Sequence, residues 1–456
     1  MLGPRPTTNP EQRTGRSQHD TGWSMLPRAV ALCLFALACG QSLPVKPAAG
    51  DDTAVTEPSV IDSEPGTTME PEPEPEPEVT VSTAEASVPA DDWIFKLDRI
   101  HSVEIELPID SWNGLVSDPF TYVQGGFTLD GERLDEVGVR IRGKVGSFRT
   151  LSGKPKLKID FNHVVSGQRF YGLKGLSLNS SVADCSYLKE AVAARVYADA
   201  GVATSRTGFA RVSVNGADYG LYVIVETQDD AFLDRYMSDP SGNLYDGKYI
   251  WYGGSSYTLL DFAEGNDTLY QLEEGESVEH ADIQAVSDAL AASWGTDAFY
   301  TELGALIDWE STHRTWAAEQ WLGQNDGYCL NKNNYRAYFH PEDGRLRFIP
   351  WDNDLTFLYA YQWGRSWVTP YGNLAAACRA HVECRDDWAA AVRDLIDNID
   401  LAALSEFVGE IDALTAEAAT ADPRRECGVD SIPGSRAHVA AWVTRRSDEV
   451  RAEWGL

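Results

Sequence analysis

From Trp93 onward the chain alternates between two hydrophobic periods. Val103 to Leu107 places apolar and charged residues at every second position, as a strand with one buried face does. Phe127 to Leu129 and Leu134 to Ile141 flank Asp130-Gly131, a hairpin signal. Leu157, Ile159 and Phe161 alternate with Lys156, Lys158 and Asp160, which predicts another strand. Apolar residues at Leu188, Val192 and Val196 then recur every four positions, between Asp184 as a cap and Gly201 as a stop, and predict a helix. Phe209 to Val214 and Leu221 to Val225 flank Asn215-Gly216, a second hairpin. Residues 93 to 226 therefore predict a mostly antiparallel sheet with one packed helix.

After Glu226 the period becomes helical. Helices are predicted over His280 to Ser293, Phe299 to Ile307 and Trp309 to Leu322. Tyr335 to Phe339 and Leu346 to Ile349 form a hairpin around Pro341-Glu342-Asp343-Gly344. Three more helices follow, over Trp388 to Ile396, Leu401 to Ala419 and Arg436 to Trp454. A sheet lobe of about 93–226 before a mostly helical lobe of about 227–456 places the chain in the α+β class.

The first 92 residues follow neither period. Ala29 to Ala38 is apolar but too short to span a bilayer, which fits a secretory signal. Small residues and Cys39-Gly40 follow, so residues 1–39 resemble a lipoprotein leader with Cys39 as the lipidated residue. Residues 40–92 hold 13 acidic residues against the single Lys46, and the Glu-Pro run from Glu70 to Glu78 predicts an extended, disordered linker. An export address implies anchorage at the bacterial outer membrane or cell surface, with the membrane touched only through the N-terminal lipid.

With 456 residues the chain can bury a sizeable core, and its net charge of −32 argues against nucleic-acid binding. Five cysteines follow Cys39. Cys378 and Cys384 are spaced for a small disulfide loop, the odd count leaves one thiol free, and no Cys/His spacing resembles a zinc site.

Three constellations carry candidate chemistry. Arg140, Arg142, Lys144, Arg149, Lys154, Lys156 and Lys158 form a basic stretch that no acidic residue interrupts, with Gly143 and Gly146 inside it. Glycine turns beside cations suit phosphate oxygens, although a solvated strand edge is the plainer alternative. Glu190, on the helix after Asp184, is placed to pair with one of those lysines. Asp326, Asn333 and Asn334 precede the 335–349 hairpin, while Asp352 and Asp354 follow it. A hairpin returns the chain to its start, so these carboxylates and amides gather into a hard-oxygen site fit for Mg2+ or Mn2+. Turn formation or a structural Ca2+ site are the competing readings.

Taken in order, these segments resemble the CotH (spore-coat protein H) kinase family across roughly residues 97 to 360. The resemblance is carried by Val139-Arg140-Ile141-Arg142-Gly143, Gly153 to Ile159, Gly172 to Asn179, Gly201-Val202, Val214-Asn215-Gly216 with Tyr219 to Tyr222, and Ile349 to Asp354. No motif matches from Trp388 onward, and Lys144-Val145-Gly146-Ser147 stands where the family often has Ser-Ser. The resemblance implies a two-lobed, atypical protein-kinase-like fold that binds ATP with a divalent metal and phosphorylates hydroxyls of secreted or surface proteins. It implies that Lys154 or Lys158, with Arg142, contacts the nucleotide phosphates and that Glu190 holds the lysine. Glu226 would lie at the adenine hinge, Asp326 would act as catalytic base, and Asn333 or Asn334, Asp352 and Asp354 would bind metal. The alternatives are a catalytically silent surface adhesion or assembly module on the same fold and, third, a carbohydrate-active protein using paired carboxylates.

Overall fold

The computed structural model describes residues 90–456, apart from 145, 254, 255, 277 and 278. Cys39, the leader and the linker up to residue 89 lie outside the described residues. The described residues form one compact unit.

A 3-10 turn (Asp92–Phe95) leads into β1 (Ile100–Glu106), α1 (Ile109–Ser117), β2 (Val123–Leu129), β3 (Glu132–Arg142), β4 (Lys156–Asp160), β5 (Gly175–Asn179), α2 (Lys189–Asp199), β6 (Thr207–Val214) and β7 (Ala217–Glu226). The seven strands close into a barrel in the order β1-β2-β3-β4-β5-β7-β6. All neighbours are antiparallel except β1 and β6, whose parallel pairing shuts the barrel and removes both sheet edges. Alternation puts Val103, Ile105, Val139, Ile141, Leu157 and Ile159 inside, where they pack with Phe127 and Leu178. β5 is buried along its whole length, because the second lobe covers its outer face. Asp184 caps the first turn of α2 from five residues away, its carboxylate accepting from the Lys189 amide at 3.0 Å.

The second lobe contains α3 (Asp230–Tyr236), β8 (Asn243–Gly247), β9 (Ile250–Gly253), β10 (Ser256–Thr258), β11 (Gln271–Glu274), α4 (Ala281–Ser293), α5 (Phe299–Gly304), α6 (Trp309–Leu322), α7 (Tyr328–Asn331), β12 (Tyr335–Phe339), β13 (Leu346–Pro350), α8 (Asn373–Ala380), α9 (Val382–Asn398), α10 (Leu401–Ala421) and α11 (Ile432–Trp454). It is less purely helical than the periodicity predicts. β8 and β11 join the β12–β13 hairpin in a four-stranded sheet of order β11-β8-β12-β13. Their sequences, Asn-Leu-Tyr-Asp-Gly and Gln-Leu-Glu-Glu, carry little strand propensity, and pairing decides their form, of β8 with β12 and of β11 with β8. No helix among the described residues is long and apolar enough to cross a membrane.

The lobes share one core. Phe209, Leu221, Val223 and Val225 on the outer barrel face cluster with α2 and with Trp316, Trp321 and Trp442 of the helical lobe. The segment after α10 returns to the barrel and fastens it. Asp422 is buried against Lys154 and Tyr187, Arg424 donates to the Gly153 carbonyl at 2.7 Å, and Cys427 is bonded to Cys185. Gly220 makes this approach possible: its φ is +85°, and a Cβ there would lie 1.9 Å from an Asp422 carboxylate oxygen. Cys378 and Cys384 form the expected small disulfide loop, and Cys329 is a buried free thiol.

Candidate functional site

The barrel presents its cations to the second lobe as an array. β3 and β4 pair in a register that sets Arg140 opposite Lys158 and Arg142 opposite Lys156. All four point away from the barrel core, since their neighbours Ile141, Leu157 and Ile159 point into it. Like charges directly opposed across a ladder cost stability, so the array requires compensating anions.

Those anions come from the hairpin. Tyr335 pairs with Pro350, which brings Asn334 beside Trp351 and the turn that follows. Asn334 and Asp352 both adopt left-handed φ, at +49° each. Asn and Asp tolerate that conformation better than other side chains, and non-glycine residues held there concentrate at functional sites. The Asn334 amide group donates to the Asp352 carbonyl at 3.3 Å, and the Trp351 amide donates to the Asn334 carbonyl at 3.1 Å. The Asp352 carboxylate meets Lys156 at 2.9 Å and Arg142 at 2.9 Å, and Asp354 meets Lys156 at 2.7 Å. The Trp351 ring lies under the Arg142 guanidinium, 4.9 Å from ring centre.

Asp326 sits in the turn between α6 and α7. α6 ends at Gly323 with a left-handed cap, after which Gln324 donates to the Asp352 carbonyl and to the Asn353 amide oxygen, both at 3.3 Å. The Asp326 carboxylate accepts from Asn331 (2.6 Å), Asn333 (3.1 Å) and Asn334 (2.9 Å). A cavity of about 380 Å3 separates these groups from the barrel array. Lys144, Lys248, Arg336, Asp246 and Glu273 also line it. Arg336 and Lys248 both pair with Asp246, at 3.0 and 2.7 Å.

The electrostatics follow from burial and pairing. Burial works to lower Lys156, but the Asp352 and Asp354 carboxylates override it and hold the ammonium above its ordinary range. Burial lowers Lys158 to about 8, and the more distant Glu273 offsets it only in part. Neither Lys158 nor Arg140 forms an ion pair among the described residues, so half of the array is uncompensated. Burial raises Asp326 to about 6, opposed by the Asn331 and Asn333 hydrogen bonds and assisted by the Asp354 and Asp352 charges.

The structure thus gathers Arg142, Lys158, Asp326, Asn333, Asn334, Asp352 and Asp354 around one cavity. It does not gather three other residues singled out in the sequence. Lys154 precedes β4 rather than lying on it, and its ammonium points the other way, into a closed site formed by Asp422 (2.5 Å), the Leu221 carbonyl (2.6 Å) and Tyr187. Glu190 lies close enough to Asp352, Asp354, Lys156 and Arg142 to interact electrostatically, but among the described residues it pairs with no lysine and its buried Oε2 has no partner. Burial, then the two aspartates, raise its carboxyl well above the usual range. Glu226 does end the last barrel strand, but its carboxylate is consumed by Arg206 (2.7 Å) and Arg235 (3.3 Å), in a buried cluster completed by Asp91. It does not line the cavity.

Lys156 takes the place expected of Lys154. The two-residue period predicts Lys154, Lys156 and Lys158 on one strand face; this holds for 156 and 158, but Lys154 lies before β4 and bonds the C-terminal segment, which nothing in the sequence showed. Asn331 and Trp351 stand in the segments that flank the hairpin in the sequence, but no role was assigned to either. Among the described residues, the group of three metal-ligating side chains that converges within 4.8 Å is His313, Cys378 and Cys384. The Cys378–Cys384 disulfide occupies both sulfurs of that group. Asp326, Asp352 and Asp354 are not among such groups, and the last two both bond the Lys156 ammonium.

A cationic barrel face thus meets an acidic hairpin end at one cavity. Comparison with known proteins names the family. The family described as CotH kinase protein matches residues 139–449, and the chain belongs to that family. The match continues through the C-terminal helices, where no motif was legible. The inner spore coat protein H of Bacillus subtilis (strain 168) is 26% identical over 202 residues, 43% of this chain and 52% of the relative. The chain spans about half the length of that curated relative. Two solved structures also align at low similarity. One is the proinflammatory kinase CtkA of Helicobacter pylori (9% identity, 64% of this chain, 90% of that one, TM-score 0.24). The other is the Shewanella oneidensis MR-1 toxin–antitoxin complex of HipA, HipB and operator DNA (10% identity, 76% and 72%, TM-score 0.27).

Proposed function

We propose that the protein binds ATP with Mg2+ or Mn2+ in the 380 Å3 cavity and transfers the γ-phosphoryl group to a hydroxyl of a secreted or surface protein. In this reading the chain is itself exported and lipid-anchored through Cys39. The observation that carries the proposal is the half-neutralised cation array. Arg142 and Lys156 are paired with the hairpin aspartates, while Arg140 and Lys158 are half-buried beside the cavity with no carboxylate partner among the described residues. Such a surface is completed by an anion with several oxygens, which a triphosphate supplies.

Asp352 and Asp354 suit a divalent cation, since they already share one buried positive charge, the Lys156 ammonium. They would hold the metal with an amide oxygen of Asn333 or Asn334, and the metal would neutralise phosphate charge. Lys156, released from one aspartate, would turn to the phosphates with Arg142, Lys158 and Arg140. Asp326 accepts the proton from the acceptor hydroxyl as its oxygen bonds to the γ-phosphorus and the bond to the ADP oxygen breaks. Three asparagine amides fix its carboxylate, and a pKa of about 6 leaves it mostly ionised at neutral pH.

Thermal denaturation with ATP and each metal tests binding. A rise in melting temperature that needs both components, and that Lys158→Met diminishes, is expected. No shift with ATP and any divalent ion would remove the nucleotide reading.

A further inference from the structure

A second cationic cavity, of about 270 Å3, opens beside the 359–371 loop that follows the acidic hairpin turn. Tyr361, Arg365, Trp367, Val368, Arg379 and Arg446 line much of it. Arg446 is fully engaged, by Glu453 at 2.8 Å and by the carbonyls of Gln320 and Trp321. Glu453, the cavity's acidic residue, is held in turn by Arg446 and Gln320. Arg365 and Arg379 are different: neither pairs with a carboxylate among the described residues. Arg365 donates only to the Asn331 amide oxygen, at 3.3 Å, and stacks on Tyr371 with its centre 4.1 Å from the ring. Arg379 stacks on Trp454 at 3.6 Å. The Arg365 Nε, the Arg379 Nη1 and the Trp367 indole N–H are all buried without an acceptor.

An unsatisfied buried donor is costly, and more so when charged, so three around one cavity imply an absent acceptor. In a chain of net charge −32, two uncompensated arginines in one recess are a specific feature. Their place is also specific. Arg365 bonds Asn331, and Asn331 bonds the Asp326 carboxylate at 2.6 Å, so this cavity lies two hydrogen bonds from the proposed catalytic base. Tyr361, 72% exposed, and Val368, 60% exposed, give it an apolar rim.

We propose that this second cavity recognises the polypeptide acceptor, binding an oxyanion side chain of the substrate (aspartate, glutamate or an already phosphorylated residue) near the hydroxyl to be modified. The idea rests on the phosphotransfer reading for the role of Asp326, but the binding it requires does not depend on catalysis. Oxyanions fit the paired N–H groups of arginine, and the exposed rim stacks the peptide on either side.

Fluorescence anisotropy of the full chain with labelled twelve-residue peptides tests it. One series places a central serine among glutamates, among glutamines or among lysines, and a fourth peptide carries a phosphoserine in the glutamine background. The glutamate and phosphoserine peptides are expected to bind at least tenfold more tightly than the glutamine peptide, and the lysine peptide most weakly. Arg379→Gln and Arg365→Gln should each remove most of that difference, and Arg379→Lys should recover part of it. The wild-type ranking stands by itself if a variant fails to fold. Equal affinity for glutamate, glutamine and lysine peptides overturns the proposal, as does a preference that survives both glutamine substitutions. Inorganic phosphate displacing the peptide at equal concentration would show an anion site without a polypeptide ligand, and would also overturn it. Arginine-dependent acidic binding in a protein that transfers no phosphate would leave the recognition site standing and refute the phosphotransfer reading. Phosphotransfer indifferent to peptide charge would refute the recognition site alone.

Discussion

Lys154 and Lys156 lie two residues apart, and their substitution by methionine separates structural from functional roles. Lys154→Met removes an ammonium that is sealed from solvent and bonded to Asp422, the Leu221 carbonyl and Tyr187. Breaking one side of a buried ion pair costs about 3–5 kcal/mol, most of it from the charge left behind. Here the abandoned Asp422 keeps three donors: the Tyr187 hydroxyl at 2.9 Å and the amides of Leu221 at 3.1 Å and Arg424 at 2.8 Å. The cost should therefore fall near the lower end, about 3 kcal/mol. Asp422→Ala should cost more, about 5 kcal/mol, because it leaves a buried ammonium with one carbonyl and one hydroxyl. Neither group lines the 380 Å3 cavity, so ATP affinity of folded Lys154→Met should stay within about twofold, or about 0.4 kcal/mol. Lys156→Met also breaks buried ion pairs, to Asp352 and Asp354, and should cost about 3–5 kcal/mol of stability; in the folded variant the loss of a charged hydrogen-bond donor to the proposed phosphates should cost a further about 1.5–3 kcal/mol of binding, or roughly 10- to 150-fold in affinity. Urea unfolding followed by tryptophan fluorescence and calorimetric titration with ATP and Mn2+ measure the two effects. Lys154→Met that abolishes ATP binding without loss of stability would refute the placement of both lysines.

Other expectations follow from the same geometry. Glu226→Gln should destabilise by about 2–4 kcal/mol through its buried arginine cluster while ATP affinity holds, as unfolding and titration together would show. Because phosphates favour the charged form of Lys158, whose pKa is about 8, nucleotide binding at pH 8 should take up about half a proton, read by calorimetry in buffers of different ionisation enthalpy. The base form of Asp326 is the working form, so the phosphotransfer rate should rise with pH below about 6 and level above it; a flat profile from pH 5 to 7 would exclude Asp326 as the base. Loop length predicts that the Cys185–Cys427 disulfide, closing 242 residues, contributes about 5 kcal/mol, and Cys378–Cys384, closing 6, about 2 kcal/mol. Melting of Cys185→Ser and Cys384→Ser under non-reducing conditions should rank them in that order.

Much of the site is legible before any coordinates. The hairpin rule brings the residues on either side of Tyr335 and Ile349 together, and the two-residue period puts Lys156 and Lys158 on one face. Both inferences use local geometry. What escaped depends on distant chain. The partner of Lys154 lies 268 residues away, and Glu226 is claimed by arginines that sequence spacing does not connect to it. β8 and β11 are too short and polar to announce themselves and exist because β12 offers an edge to β8, and β8 in turn to β11. Closure of the barrel depends on the parallel pairing of β1 with β6, about a hundred residues apart in sequence, which no local pattern encodes.

The central claim is that barrel cations and hairpin carboxylates act on one phosphoryl group. Incubation with [γ-32P]ATP and Mn2+ or Mg2+, comparing wild type with Asp326→Ala and Asp352→Ala, tests it most directly. Labelling of the wild-type chain or an added acceptor, lost in both folded variants, is the predicted result. Labelling that persists undiminished in both would contradict the site.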